Sequence, residues 1–308
     1  MAKKKLTEIE KRIKNNSLPK INYKEHNSVS ASQYSVYLKC PHQWYLKHVK
    51  KLDPFKQNIN MFFGTAIHNT VQTYLQVMYD KSKVAADDID LLEVFDKEYF
   101  EEYKNFYEKN KFHFTTKDEL KEFYEDGIAI IEWFKKNVSK YFSKKNYRLL
   151  GIELPIKYEV SKNVYLTGFL DFVLYHTEAD SIEIKDFKTS TRGWQNYDKK
   201  DESKLSQILL YKKYFSEIYE FDPEKIDVEF IILKRKVPEN SEYPIKRIQT
   251  FKPSQGKNTL NKYQKKFDEF LKECFNDKGE RLEKEYPKNP SNWNCKFCNF
   301  NNTEHCKK

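Results

Sequence analysis

The sequence predicts an α/β fold in which a mixed sheet of three to five strands is combined with a helical insertion. Five stretches rich in Ile, Val, Leu, Tyr and Phe are separated by polar turns, as strands are: 149–160, 163–176, 180–189, 226–236 and 245–252. A stretch with helical periodicity, from about Ser203 to Tyr219, lies between the third and the fourth. A helix that crosses between strands is typical of α/β proteins.

Helices are expected both before and after this sheet region in the sequence. Apolar side chains recur at helical spacing after the possible N-caps Ser30 and Ser32, and again from Gly64 onward. Three further segments have the same character: 88–110, 117–143 and 256–275. We therefore expect a basic flexible arm at 1–27 and a single domain at 28–308. That domain divides into a helical part at 28–147, a sheet core at 148–252, and a C-terminal helix with a Cys-rich segment at 253–308.

Composition limits the class of protein. The 308 residues include 4 Trp, 22 Tyr and 23 Phe, which excludes a chain disordered for lack of apolar side chains. The mean hydropathy of -0.88 and the lack of an apolar run near 18 residues argue against a membrane span. Because no apolar segment follows the first lysines, we expect no signal peptide and a cytoplasmic location. The Lys/Asn/Tyr-rich composition is also typical of AT-rich genomes, such as those of some phages.

Charge is distributed unevenly along the chain. Residues 1–60 contain 13 Lys/Arg and 4 Asp/Glu, whereas residues 87–127 contain 14 acids and 6 lysines. A basic N-terminal region and a basic C-terminal tail suggest a polyanionic partner such as nucleic acid, although a solvated lysine-rich surface explains the charge equally well. No phosphate-binding loop of the G-x-x-x-x-G-K-[ST] type occurs, so we expect no built-in ATP motor.

The most informative motif is a pair of acids followed by a lysine. Because side chains alternate along a strand, one face of the stretch 181–189 carries Ile182, Ile184, Asp186 and Lys188. Asp171, which is expected to end the neighbouring strand of a hairpin, would bring a second carboxylate to the same place. Two carboxylates hold a cation such as Mg²⁺ or Mn²⁺, and an ammonium group can orient water and stabilise a pentavalent phosphate. The motif therefore indicates phosphodiester hydrolysis.

Two other interpretations compete with this one. An Asp-x-Lys sequence on a strand is commonly a surface charge pair of little energetic value. In addition, Glu183 and Lys185 have the same spacing on the opposite face. The apolar residues Ile182 and Ile184 favour the Asp186 face as the one that is turned toward protein.

Four sequence elements resemble the PD-(D/E)XK nuclease superfamily, specifically its RecB-like branch. They are Gly64-x-x-x-His68, Gly168-x-x-Asp171, Asp186-Phe187-Lys188-Thr189 and Gln207-x-x-x-Tyr211, in the order in which that branch carries them. The resemblance implies a restriction-endonuclease-like mixed-sheet core. It also implies catalytic roles for Asp171, Asp186 and Lys188, with a metal ion bound by His68, Asp171, Asp186 and the backbone carbonyl of Phe187.

By the same resemblance, Gln207 and Tyr211 contact DNA, the glutamine through phosphate or base and the tyrosine by stacking. Without it, Tyr211 would be a core residue beside Ile208 and Phe215. Glu153 is a further acid near the start of the sheet, and no role is assigned to it.

Cysteines are concentrated near the C-terminus. The spacing of Cys295, Cys298 and Cys306 in an intracellular protein suggests metal binding rather than disulfides, with His305 as a local fourth ligand for zinc. The segment around Cys40 and Pro41 resembles that of RecB-type nucleases with an iron–sulfur cluster, including CRISPR-associated exonucleases and the AddB nuclease domain. That resemblance implies a [4Fe–4S] cluster on Cys40, Cys295, Cys298 and Cys306. Thiolates bind zinc as well, so both remain open; Cys274 is expected to be an ordinary small apolar residue.

The expected function is metal-dependent cleavage of DNA. The resemblance implies an ATP-independent exonuclease that acts on single-stranded or frayed DNA ends in replication, recombination or repair. A helicase, recombinase or integrase partner would then be a separate chain. Three alternatives remain: an inactive DNA-binding or assembly protein, a trimming nuclease of CRISPR adaptation, and a nuclease that acts on RNA.

Overall fold

A mixed six-stranded sheet forms the centre of the protein. The computed structural model describes residues 6–16, 18–52, 57–238 and 245–307. The strands within those ranges are β1 Asn27–Ser30, β2 Tyr147–Ser161, β3 Val164–His176, β4 Ser181–Ser190, β5 Ile226–Lys234 and β6 Ile248–Phe251. The predicted α/β class with a mixed sheet is confirmed. The sheet has one strand more than expected, because β1 carries no strand-like pattern of its own.

Helices account for most of the remaining described chain. They are α1 Glu8–Asn15, α2 Ala31–Lys39, α3 Pro41–Trp44, α4 Ile59–Asp80, α5 Lys83–Asp87, α6 Leu91–Asn110, α7 Lys117–Asn137, α8 Glu202–Tyr219, α9 Lys257–Cys274 and α10 Asn292–Lys296. As expected, Ser30 caps α2, since its hydroxyl accepts the backbone N–H of Gln33 at 3.2 Å. None of the helices in the described ranges has the length and apolar character that crossing a membrane would require.

The sheet follows the order β1-β3-β4-β5-β6, and β2 pairs with the other edge of β3. Strands β2, β3 and β4 form an antiparallel meander, whereas β4 and β5 are parallel and are joined by α8. Such a parallel pair needs a crossover connection, which is the role predicted for this helix.

One edge of β3 has two partners with a gap between them. Residues 164–167 pair with β1, and residues 172–176 pair with β4. Residues 168–171 lie between these two stretches and pair with neither β1 nor β4. This gap matters because Gly168 and Asp171, the two fixed positions of one predicted motif, mark its ends.

Apolar side chains form a separate core on each face of the sheet. One core joins the side chains of β4 such as Ile182 and Ile184 to those of α2, α8 and α9. The other joins Phe187 of β4 to α4, α6 and α7. Alternation along β4 thus sends successive side chains into different cores, and the strand is held from both sides.

The N-terminal segment is not the loose arm that was expected. Residues 8–15 form α1, which begins with a capping box between Thr7 and Glu10. Ile9 is 4% exposed and belongs to the core on the α8 face. Arg12 donates to the backbone oxygens of Tyr219 and Glu220 at 3.1 and 2.6 Å, at the C-terminal end of α8. Glu10 also pairs with Arg148 of β2 at 2.7 Å, so this polar segment is attached to the sheet as well as to α8.

This packing predicts that Ile9→Ala lowers the free energy of unfolding by roughly 2 kcal/mol, since the truncation leaves a cavity in a core. Urea denaturation followed by circular dichroism measures the change. Leu6→Ala is the matched control, because Leu6 is 42% exposed and its truncation removes little buried surface. Equal stabilities of wild type and Ile9→Ala would show that the segment is not part of the folded unit.

Candidate active site

Strand β4 presents an acid and a lysine side by side. Asp186 is 1% exposed, and Lys188 Nζ lies 2.6 Å from its Oδ2 atom. The other carboxylate oxygen, Oδ1, is buried and has no hydrogen-bond partner among the described residues. Burial of a charged oxygen without a partner is energetically costly, so this atom is one that a ligand from outside the chain could satisfy.

The competing pair on the opposite face is accounted for structurally. Lys185 Nζ lies 2.9 Å from Glu183 and 2.7 Å from Glu229 on the neighbouring strand β5. Glu183 also accepts the hydroxyl of Tyr147 at 2.8 Å. These groups satisfy one another as a cross-strand network, which leaves Asp186 and Lys188 as the pair with unused capacity.

Asp171 brings the second carboxylate to this place. Continuing the β3–β4 register by one position sets Asp171 opposite Asp186, although the paired stretch ends at Phe172 and Lys185. The backbone N–H of Phe187 donates to Asp171 Oδ2 at 2.8 Å and fixes the side chain. Asp171 is not at the end of its strand, as was expected, but in the gap of the β3 edge, where the strands no longer bond.

The two carboxylates destabilise each other's charge. Burial and the neighbouring Asp186 raise the pKa of Asp171 to about 8, and burial raises the pKa of Asp186 as well. Burial alone would lower the pKa of Lys188, but Asp186 and Asp171 outweigh it and raise that pKa. One ammonium group thus faces two carboxylates, and the site is short of positive charge.

His68 reaches the same region from α4. A Cβ atom on Gly64, one turn earlier, would lie 3.3 Å from Thr189 Oγ1, so the glycine lets the helix approach the end of β4. Burial and the charge of Lys188 lower the pKa of His68 to about 3, which keeps the imidazole neutral. Its Nε2 atom is buried and has no hydrogen-bond partner in the described chain. A neutral imidazole with an unused nitrogen is a suitable metal ligand.

Two further residues lie at the site: Gln72, which the sequence did not single out, and Glu153, to which it assigned no role. Gln72, one turn after His68 on α4, donates from Nε2 to Glu153 Oε1 at 2.7 Å and to the backbone oxygen of Asp171 at 3.1 Å. Glu153 lies opposite Asp171 in the β2–β3 ladder and has φ +48°, the left-handed region that non-glycine residues rarely adopt. Gln72 thereby links Glu153 to the backbone of β3 at Asp171, and the strained backbone holds a third carboxylate beside the candidate site.

Gln207 and Tyr211 lie on α8, where their hydrogen bond joins the two side chains. Tyr211 is 6% exposed, and a Cβ atom on Gly168 would lie 2.8 Å from its hydroxyl oxygen. The tyrosine therefore packs against the glycine of the gap. Only a small part of the Tyr211 side chain is therefore exposed, whereas Gln207 is partly exposed. The DNA contacts expected of both residues remain predictions.

The donor set fits a divalent cation, although no metal site is preformed. Within the described ranges, no three His, Cys, Asp or Glu side chains are already arranged to hold a metal ion. The unpartnered Asp186 Oδ1 and His68 Nε2 nevertheless mark unused donor atoms beside two mutually repelling carboxylates. Carboxylate oxygen together with imidazole nitrogen is a combination of donors that suits Mg²⁺ or Mn²⁺.

Four cysteines surround a second location. Cys40, at the end of α2, lines one cavity of about 360 Å³ together with Cys295, Cys298 and Cys306. All four are free thiols. Burial raises the pKa of Cys298, the backbone N–H groups of Phe300 and Asn301 lower it, and the nearby Cys40 and Cys306 raise it.

Two other residues considered in the sequence, His305 and Cys274, do not line this cavity. His305, the local candidate for a zinc ligand, is absent from the cavity wall, and its ring lies 3.5 Å from Glu304. Cys274 is fully buried in the core on the α8 face, as expected for a small apolar residue.

Comparison with protein families gives one match. The model of a family described as the PD-(D/E)XK nuclease superfamily matches residues 28–303. Among curated proteins, no sequence matches significantly. The matched range includes both carboxylates, the lysine, His68 and three of the four cysteines that line the cavity.

The mutual destabilisation of the carboxylates predicts that Asp171→Asn raises the melting temperature in EDTA. The amide oxygen can still accept the Phe187 N–H, while one unfavourable buried charge disappears. Asp171 ionises above about pH 4 in the unfolded chain but only near pH 8 in the folded protein, so its carboxyl destabilises the fold increasingly as the pH rises between these values. The gain should therefore be small near pH 4 and larger near pH 8.

Thermal unfolding at both pH values measures this gain. The control is Asp180→Asn, because pairing with Lys225 lowers the pKa of Asp180 and the variant should give no increase. A melting temperature that falls in Asp171→Asn at pH 8 would contradict the proposed repulsion.

Proposed function

Because this chain belongs to the PD-(D/E)XK nuclease superfamily, we propose that it is a metal-dependent deoxyribonuclease. The observation that carries the proposal is the meeting of Asp171, Asp186 and Lys188 where β3 separates from β4. Two acids and a lysine provide what phosphodiester hydrolysis requires: ligands for a cation, and a positive group for the charge that develops on phosphate.

Asp171, Asp186 and His68 would hold the metal ion, together with the backbone carbonyl of Phe187 that the resemblance implies. A bound Mg²⁺ or Mn²⁺ would activate water as a nucleophile and neutralise phosphate charge. The ion would also remove the repulsion between the carboxylates, so its binding and their ionisation favour each other. Glu153 adds negative charge at the edge of the site and is itself positioned by Gln72.

Lys188 would orient the attacking water and stabilise the pentavalent phosphate. Its ammonium group is held charged by Asp186 and Asp171, because they raise its pKa. Partial exposure leaves its remaining N–H donors available to a substrate. Gln207, at the start of α8, would contact the phosphate backbone or a base beside it.

The substrate would be DNA with single-stranded or frayed ends, cleaved as an exonuclease without ATP. Support comes from the RecB-like order of the four sequence elements. Any helicase, recombinase or integrase that generates or uses such ends would be a separate partner chain.

We also propose that Cys40, Cys295, Cys298 and Cys306 bind a [4Fe–4S] cluster with a structural role. Four free thiols around one cavity support it, as does the N–H donation to Cys298, since such donors stabilise thiolates. A cluster there would join the end of α2 to the C-terminal segment. Zinc held by the same four thiolates is the alternative occupant, and the metal content of the purified protein distinguishes the two.

The catalytic proposal predicts that Asp186→Asn lowers cleavage of end-labelled single-stranded DNA by about a hundredfold or more, the effect of removing one electrostatic stabiliser from an active site. DNA binding should remain, since the change adds no negative charge. The assay uses Mn²⁺ without oxygen, with Asp180→Asn as the control, because Asp180 is exposed and pairs with Lys225. Cleavage by Asp186→Asn at the wild-type rate would refute the assignment.

The cluster proposal predicts that protein purified without oxygen is brown and holds about four iron atoms, the content of one [4Fe–4S] cluster. Cys295→Ser should lose the colour and melt at a lower temperature, since a ligand that joins two segments is lost. Cys274→Ala is the control, because Cys274 lies in the core away from the cavity. Colourless protein that contains zinc would contradict the cluster.

A further inference from the structure

Three large aromatic side chains near the C-terminal segment are exposed and touch one another. Tyr197, Trp293 and Phe297 are 63%, 65% and 70% exposed. The Trp293 ring lies edge-on to Tyr197, with centroids 6.4 Å apart, and to Phe297, with centroids 5.9 Å apart. Single exposed aromatic side chains are common on protein surfaces, but three in contact form a contiguous apolar patch that calls for an explanation.

Tyr197 lies on a segment that is adjacent in sequence to residues of the candidate active site. Residues 191–201 connect β4, which carries Asp186 and Lys188, to α8, which carries Gln207. Trp194 fixes the segment, since its backbone N–H donates to Gln249 at 2.7 Å and its ring lies 4.6 Å from that of Phe230. Tyr197 thus projects from a connection whose two ends belong to the proposed catalytic apparatus.

Trp293 and Phe297 are held by the C-terminal segment. Trp293 is in α10, and Phe297 directly follows that helix. The side-chain amides of Asn289 and Asn294 donate to the backbone oxygen of Lys39 at 2.9 and 3.0 Å, which fixes the segment against the end of α2. The aromatic cluster is therefore a contact between two anchored parts of the chain rather than a chance meeting of mobile tails.

The surroundings of the cluster are positively charged. Lys296 Nζ lies over the Phe297 ring at 5.4 Å from its centroid. Residues 286–307 contain three lysines and one acidic residue. On the other side, Arg192 and Lys200 are exposed, whereas Asp198 forms an ion pair with Lys204. Exposed aromatic rings among lysines complement unpaired bases on a phosphate backbone.

We propose that Tyr197, Trp293 and Phe297 form a platform on which the bases of single-stranded DNA stack as the strand approaches the active site. The proposal rests on the deoxyribonuclease function proposed above and adds a binding surface to it. A duplex keeps its bases stacked inside, so the platform favours single strands and frayed ends. Its three rings are far more exposed than that of Tyr211, the other residue expected to stack on a base.

The test measures tryptophan fluorescence during titration with a thymidine 20-mer in EDTA, where no cleavage occurs. All four tryptophans lie in the described ranges; Trp44 and Trp194 are buried and Trp133 is partly buried, so Trp293 is the one that a base can reach. An oligomer of the same length without bases is the second ligand. It keeps the phosphates and separates stacking from charge.

The platform predicts that the thymidine oligomer quenches the fluorescence and that the abasic oligomer does not. Trp293→Phe should remove the quenching and keep most of the affinity. The double variant Trp293→Ala/Phe297→Ala should bind the thymidine oligomer roughly tenfold more weakly, with unchanged affinity for the abasic one. Phe112→Ala is the matched control, since Phe112 is 52% exposed on the acidic helical part and should change nothing.

Equal quenching by both oligomers, wild-type affinity in the double variant, or no binding at all would overturn the platform. The nuclease proposal is tested separately by Mn²⁺-dependent cleavage in wild type. Cleavage without stacking refutes only the platform, whereas stacking without cleavage refutes only the nuclease.

Discussion

Two acidic side chains are forced together at the centre of the protein, and the rest of the site depends on that constraint. The backbone, rather than attraction, holds them there: Asp186 is part of β4, and Asp171 is fixed by the N–H of Phe187. Lys188 compensates for only one of the two charges. The fold is therefore less stable than it would be without the pair of acids, a compromise that is common at active sites.

The surrounding structure makes this arrangement possible. The side chains of β4 enter two separate aromatic-rich cores, so the strand cannot move to relieve the repulsion. Glycines permit close approach on both sides, Gly64 for α4 and Gly168 for Tyr211 of α8. Where β3 separates from β4, no ladder hydrogen bonds occupy the space that a metal ion and a phosphate would enter.

Local patterns predicted a large part of this from the sequence. Stretches rich in Ile, Val, Leu, Tyr and Phe located the strands, and Ile182 with Ile184 identified the face that carries Asp186. The network of Lys185 with Glu183 and Glu229 could not be foreseen, because Glu229 is brought alongside by the parallel β4–β5 pairing, which spans 44 residues of sequence.

What the sequence could not reveal depends on long-range contacts. Strand β1 is four mostly polar residues that become a strand only by pairing with β3. Nothing in the sequence distinguishes Gln72 from the other polar residues of α4. Its role depends on its hydrogen bond to Glu153 of β2, which is distant in sequence. Tyr211 shows the opposite case: a motif position expected in a DNA groove is buried, because the packing of α8 against Gly168 decides its exposure.

The central claim is that a divalent cation supplies the charge that the buried acids lack. Isothermal titration of Mn²⁺ into wild type and into Asp171→Asn, in protein stripped of metal, tests it most directly. The account predicts that wild type binds Mn²⁺ with a release of protons that grows as the pH falls from 8 to 6, because the cation displaces a proton shared by the carboxylates. Asp171→Asn should bind far more weakly and release fewer protons. Equal Mn²⁺ binding by the two proteins would contradict the account.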